Sequence, residues 1–199
     1  MSKFLQAIID ADAYKYAAAF CGEKRSIKVI ENSTGNEYTF KTRTDFYGRT
    51  KQRNGGWLGE YNLAKDSNLT ADDFTIEDVQ EKLDFENCTN VIDFQIKKAL
   101  RDTGISRYKT FIGRGESFRV ERSTLLKYKG QRISALKPLY LADVEEYLIK
   151  QYGAEIVTCL ENDDRCVIEC YKKPNNILFG IEKDFYSCPV NYFNTAKNA

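Results

Sequence analysis

The stretch FLQAIIDADAYKYAAAF, residues 4 to 20, decides the fold class. A short apolar run ends at Asp10, a second acid follows at Asp12, and an alanine-rich segment takes over. An apolar run of this length suits a buried strand, and alanine has the highest helix propensity, so the unit is strand, acidic turn, helix. The order returns at residues 154 to 173, AEIVTCLENDDRCVIECYKK, where a strand runs into Glu161, Asp163 and Asp164 and a helix follows until Pro174. It opens a third time at residues 176 to 184, NILFGIEKD, whose acids are Glu182 and Asp184. Strands alternating with helices predict an α/β fold, a mainly parallel central sheet flanked by helices.

The remaining chain fills in around these units. RSIKVIE and NEYTFKT flank NSTG, which supplies turn chemistry for a hairpin. Residues 43 to 59 lack periodicity and read as a loop. TIEDVQEKL (residues 75 to 83) and NVIDFQIKKALRDTG (residues 90 to 104) read as helices, RYKTFI (residues 107 to 112) as a strand, and LADVEEYLIKQYG (residues 141 to 153) as a helix stopped by glycine. At 199 residues the chain is expected to form a single domain with one core.

Composition narrows the chemistry. Thirty basic residues against 29 acidic leave a net charge of +1, so only the distribution of charge can point to a partner. The apolar run near the start is too short for a signal-peptide core, and nothing approaches a membrane span, which predicts a cytoplasmic protein with no membrane partner. The six cysteines form no CxxC pair and are expected to be reduced and mostly buried. There is no histidine, which removes Ser-His-Asp and Cys-His catalysis. Any catalysis must rest on carboxylates, lysine or metal.

In open α/β sheets ligands bind beyond the carboxyl ends of the strands, so the acids after three strands are expected to face one crevice. Close carboxylates repel unless protonated or bridged by cations, and hard divalent ions such as Mg²⁺ or Mn²⁺ take oxygen ligands of this kind. Asp10, Asp12, Glu161, Asp163, Asp164, Glu182 and Asp184 are the candidate ligands for one or two ions. Two such ions can clamp the attacking and leaving oxygens of a phosphodiester. Helix capping would account for any one of the three clusters, but not for an acidic group after each of three apolar strands.

The basic counterpart lies between Arg114 and Lys137. Arg114, Arg119, Arg122, Lys127, Lys129, Arg132 and Lys137 stand against only Glu116 and Glu121, with Phe118 and Tyr128 interleaved. Charge with aromatic rings suits a surface that grips phosphates and stacks on bases. A second run, Lys41, Arg43, Arg49, Lys51 and Arg53 against Asp45, reads either as a solvated loop or as a further phosphate contact. Acidic strand ends with a cationic track describe a nuclease better than a phosphatase.

With these residues in view, the chain resembles the phage branch of the 5′→3′ exonuclease and flap endonuclease family, whose nuclease core is PIN-like. IIDAD (residues 8 to 12) is similar to the family's first acidic motif. Phe118 and Arg119, followed by YKGQR (residues 128 to 132), are similar to its FR and YKxxR segment. ENDD (residues 161 to 164) resembles EADD, and IEKDF (residues 181 to 185) resembles its DKD motif. Residues 26 to 90 match only loosely. The resemblance implies metal ligation by Asp10, Glu161, Asp163, Asp164 and Asp184, with Glu182 where the family usually has aspartate. It also implies approach of Lys129 and Arg132 to the scissile phosphate.

Many members carry an aspartate after the strand preceding the FR motif, where this chain has Ile112 and Gly113. The expected site is therefore short of one carboxylate, and the family's C-terminal helix-hairpin-helix region is expected to be absent. The expected function is divalent-metal-dependent cleavage near 5′ ends or single-strand junctions, in DNA or alternatively RNA, in a host cytoplasm if phage-encoded. A partner protein would replace the C-terminal region. The alternative is a binding or regulatory protein on the same fold with weakened catalysis.

Overall fold

Residues 4 to 20 become strand β1 (Ala7–Asp10) and helix α1 (Asp12–Cys21) in the computed structural model, which describes residues 5–49, 56–117 and 136–197. These residues belong to two compact units, one of segments Met1–Gly22 and Asp84–Ala199, the other of Glu23–Leu83. Each unit has its own hydrophobic core. Most of the stretch that matched the motif order only loosely, residues 26 to 90, falls in the second unit, and its last residues, from Asp84, belong to the first.

The first unit adds α4 (Glu86–Thr103), β5 (Tyr108–Ser117), α5 (Leu141–Tyr152), β6 (Glu155–Cys159), α6 (Asn162–Lys172), β7 (Ile177–Gly180) and β8 (Asn191–Asn194). Its five strands form one parallel sheet in the order β6-β5-β1-β7-β8. β1 is central and every one of its residues is buried, as a strand covered on both faces must be. Alternate side chains choose opposite faces. Ala7, Ile9, Ile112 and Phe179 pack with α1, α4 and α5 through Ala18, Ile92, Ile96, Val144 and Leu148. Ile8, Phe111 and Leu178 pack on the other side with Cys166 and Cys170 of α6. Each fully buried Ile, Leu or Phe contributes about 1.5–3 kcal/mol, so both layers are needed to hold β1 in register.

The second unit holds β2 (Glu23–Glu31), β3 (Glu37–Phe40), α2 (Arg43–Tyr47), α3 (Trp57–Lys65) and β4 (Phe74–Lys82). Its antiparallel sheet, ordered β3-β2-β4, packs Ile27, Val29 and Phe74 against Phe46 and Leu58. The expected hairpin is present, with Gly35 in the left-handed region at φ 73°.

Two expectations fail here. Residues 75 to 83 are not helical: β4 pairs with β2 from Phe74 to Lys82. Nine residues of ladder override a modest local helix preference, and the inward Phe74 alternates with exposed Thr75 and Glu77. Residues 43 to 59 are not simply loop. Thr42 and Asp45 form a reciprocal capping box that starts α2, and α3 begins at Trp57.

None of the six cysteines is in a disulfide. Cys88, Cys166 and Cys170 are buried, whereas Cys21 and Cys159 are exposed, so the expectation of mostly buried thiols holds for only half of them. Among the described residues no helix is long and apolar enough to cross a membrane.

Candidate functional site

The acids lie beyond the carboxyl ends of the sheet. β1 ends at Asp10, which is 3% exposed. Burial, with the neighbouring charges of Asp12 and Asp163, raises its carboxyl pKa to about 7, although donors from Asn162 and the Asp12 backbone oppose the shift. Asn162 Nδ2 reaches Asp10 Oδ1 at 2.6 Å, and the Asp12 N–H donates to the same oxygen at 3.2 Å. A buried carboxyl of this kind carries its charge easily only beside a cation.

β6 reaches the site through an abrupt turn. Cys159, its last residue, has φ 65°, a left-handed conformation that costs a residue with a side chain about 1–2 kcal/mol. Glu161 follows at the N-cap of α6, with Asp163 and Asp164 in the first turn. Ligand oxygens of these three acids all lie within 4.8 Å of one another. Opposite ligands of a magnesium ion stand about 4.2 Å apart, so the group is close to the width of one hard cation's ligand shell. Asn162 Oδ1, buried in the same turn, has no hydrogen-bond partner among the described residues and is a further oxygen of suitable chemistry. These donors fit Mg²⁺ or Mn²⁺.

Asp12, Asp163, Asp164 and Asp184 stand in first turns, where negative charge complements a helix N-terminus. The helix N-termini at Ala11 and Glu161 and the 3-10 turn beginning at Glu182 have no side-chain capping hydrogen bond. Asp163 Oδ1 instead accepts the Asp164 N–H at 2.8 Å within the first turn.

Asp12 sits differently from Asp10. Its Oδ1 accepts the Gly113 N–H at 3.1 Å and lies 3.0 Å from the ammonium of Lys15. That ammonium, on a side chain only 6% exposed, donates to the Gly113 carbonyl at 2.9 Å and stands 3.8 Å from Glu145 Oε2. Arg114 pairs with Glu145 as well. Sequence reading missed Lys15 because it stands in no basic run, and Glu145 because its acidic neighbours Asp143 and Glu146 lie within a helix and not after a strand. Lysine on the inward face of an alanine helix was the available signal.

Glu182 and Asp184 are exposed at the 3-10 turn Lys183–Ser187 and lie outside the 4.8 Å group, as do Asp10 and Asp12. Glu182 and Asp10 nonetheless both act on Tyr192, whose pKa is raised to about 12, chiefly by burial and the neighbouring Tyr186. All three clusters therefore have members at the same end of the sheet.

Of the expected phosphate contacts, Arg114 lies on β5 in its pair with Glu145, and Lys137 is exposed ahead of α5. In the second unit Lys41 and Arg49 are exposed, and Arg43 forms a two-pronged pair with Asp78 at 2.6 and 3.0 Å. Phe118, Arg119, Arg122, Lys127, Tyr128, Lys129, Arg132, Lys51 and Arg53 lie outside the described residues. Comparison with known proteins finds no matching family model, no matching curated relative and no matching solved structure.

Proposed function

We propose that this protein is a divalent-metal-dependent nuclease that hydrolyses phosphodiester bonds of DNA near 5′ ends or single-strand junctions, on a PIN-like core. The observation that carries the reading is the convergence of Glu161, Asp163 and Asp164 at the carboxyl end of a parallel sheet, with Asp163 acting electrostatically on buried Asp10. A bound Mg²⁺ or Mn²⁺ supplies charge stabilisation and activation of water. The protein's own part is to fix the oxygens. The turn at Cys159 aims Glu161, the helix start places Asp163 and Asp164, and Asn162 holds Asp10. In this reading Lys129 and Arg132 of the YKGQR segment neutralise the phosphate, and the basic residues from Arg114 to Lys137 guide the strand.

A second reading, a nucleic-acid-binding or regulatory protein with weakened catalysis, is favoured by one observation. Gly113 brings no carboxylate, and Asp12 is already engaged by Lys15 and the Gly113 N–H.

Cleavage of flap, nicked, single-stranded and RNA substrates, in Mg²⁺ or Mn²⁺ and in EDTA, separates the readings. The nuclease reading expects metal-dependent cleavage of a junction DNA that falls at least a hundredfold in Asp164→Asn. Binding without metal-dependent cleavage of any substrate would overturn it in favour of the second.

A further inference from the structure

Lys15 is a lysine in the wrong place for a solvated charge. It belongs to α1, whose inward face is otherwise alanine and Tyr14, and it is 5% exposed. Taking an ammonium out of water costs several kcal/mol unless oxygens replace its hydration. Two do so here, Asp12 Oδ1 at 3.0 Å and the Gly113 carbonyl at 2.9 Å, and Glu145 Oε2 adds its charge at 3.8 Å, so three separate parts of the chain meet the ammonium. Two carboxylates and a backbone carbonyl are also a donor set for a hard divalent ion. Arg114 on Glu145 brings the group to two positive and two negative charges.

The group adjoins the candidate metal site. Asp12 donates its backbone N–H to Asp10 Oδ1, and a Cβ built on Gly113 would lie 3.5 Å from Asn162 Cβ. With Lys15 and Arg114 already balancing Asp12 and Glu145, this part of the crevice has no net negative charge left to hold a second divalent ion.

We propose that the Lys15 ammonium is a built-in cation standing in the place of a second divalent ion, so that this protein takes one exchangeable ion, at Glu161, Asp163 and Asp164, and Asp12 is a ligand of Lys15. The proposal rests on the nuclease reading only for the presence of that exchangeable ion. Lys15 is a positioning residue: it holds Asp12, Gly113 and Glu145 together without touching substrate.

The test is Mn²⁺ stoichiometry and thermal stability of the full chain. Wild type is expected to bind one Mn²⁺ tightly, and Lys15→Ala to bind two. Lys15→Ala should melt several degrees lower in EDTA and regain most of that loss in Mn²⁺, whereas Lys15→Arg should keep one ion. Two tight ions in wild type, or one ion in Lys15→Ala with no Mn²⁺-dependent recovery, would overturn the proposal. Should Lys15→Ala not fold, Asp12→Asn decides: an unchanged stoichiometry supports Lys15 as the partner of Asp12, and loss of an ion refutes it. No ion in wild type but one in Lys15→Ala would sustain the role of Lys15 while sinking the nuclease reading.

Discussion

Asn162 donates to Asp10 at 2.6 Å across 152 positions of chain, and its amide also reaches the Phe111 carbonyl at 3.0 Å. One side chain therefore ties the start of α6 to the end of β1 and the middle of β5. Asn162→Ala should cost about 2–3 kcal/mol, because hydrogen bonds to charged groups are worth more than neutral ones and both acceptors stay buried. The bond opposes the raised pKa of Asp10, so its loss raises that pKa further. Urea melts in EDTA should show a larger deficit at pH 8 than at pH 5; equal deficits would mean that Asp10 does not change its charge between those pH values.

Asp10 itself predicts a pH dependence. Its folded pKa of about 7 stands above the ordinary carboxylate value of 3.8, so between the two the folded chain holds a proton that the unfolded chain has released. The stability contributed is complete below pH 3.8 and is lost as pH rises through 7. In EDTA, Asp10→Asn should be more stable than wild type at pH 8 by a few kcal/mol, with the advantage shrinking as pH falls toward 4. A constant offset across that range would contradict the assignment.

Gly113 cannot accept a side chain without rearrangement. A Cβ there would meet Asp12 Oδ2 at 2.8 Å, and that carboxylate is held by Lys15 and the Gly113 N–H. Gly113→Ala should cost about 1–3 kcal/mol, the usual range for overpacking. Gly113→Asp should cost more in EDTA because it adds a charge beside Asp12. Chemical denaturation showing Gly113→Asp as stable as wild type would mean that Asp12 moves freely.

Asp93 gives a stability control remote from the acids. Its Oδ1 accepts the hydroxyls of Tyr147 and Tyr152 at 2.8 and 2.7 Å, joining α4 to α5. Asp93→Ala should lower stability by about 1–3 kcal/mol by stranding two hydroxyls. Mn²⁺ stoichiometry should not change, and a change would show that the α4–α5 contact shapes the metal site.

The sequence made β1, β6, β7 and the helices α4, α5 and α6 legible because each pairs an apolar run with a clear stop, such as Gly104, Gly153 or Pro174. β4 was not legible: TIEDVQEKL has the composition of a helix, and only its pairing with β2 makes it a strand. The capping box of Thr42 and Asp45 was a local signal passed over in a stretch without periodicity. The acids after the strands could be read because they sit in short motifs. The inward place of Lys15 on α1 could be read as well, but not its partner Gly113, 98 positions away.

The position of β1 also sets a timetable. Ala7 pairs with Tyr108 on one side and Ile177 on the other, so the strand that carries Asp10 must wait for most of the chain before either edge is covered. Such distant pairings close slowly, whereas the hairpin of β2 and β3 needs only neighbours and forms early. During synthesis, Asp10 and Asp163 are consequently kept apart in water, and their repulsion arises only as the sheet closes. If the proposed ion binds there, it would accelerate the last step of folding rather than the first.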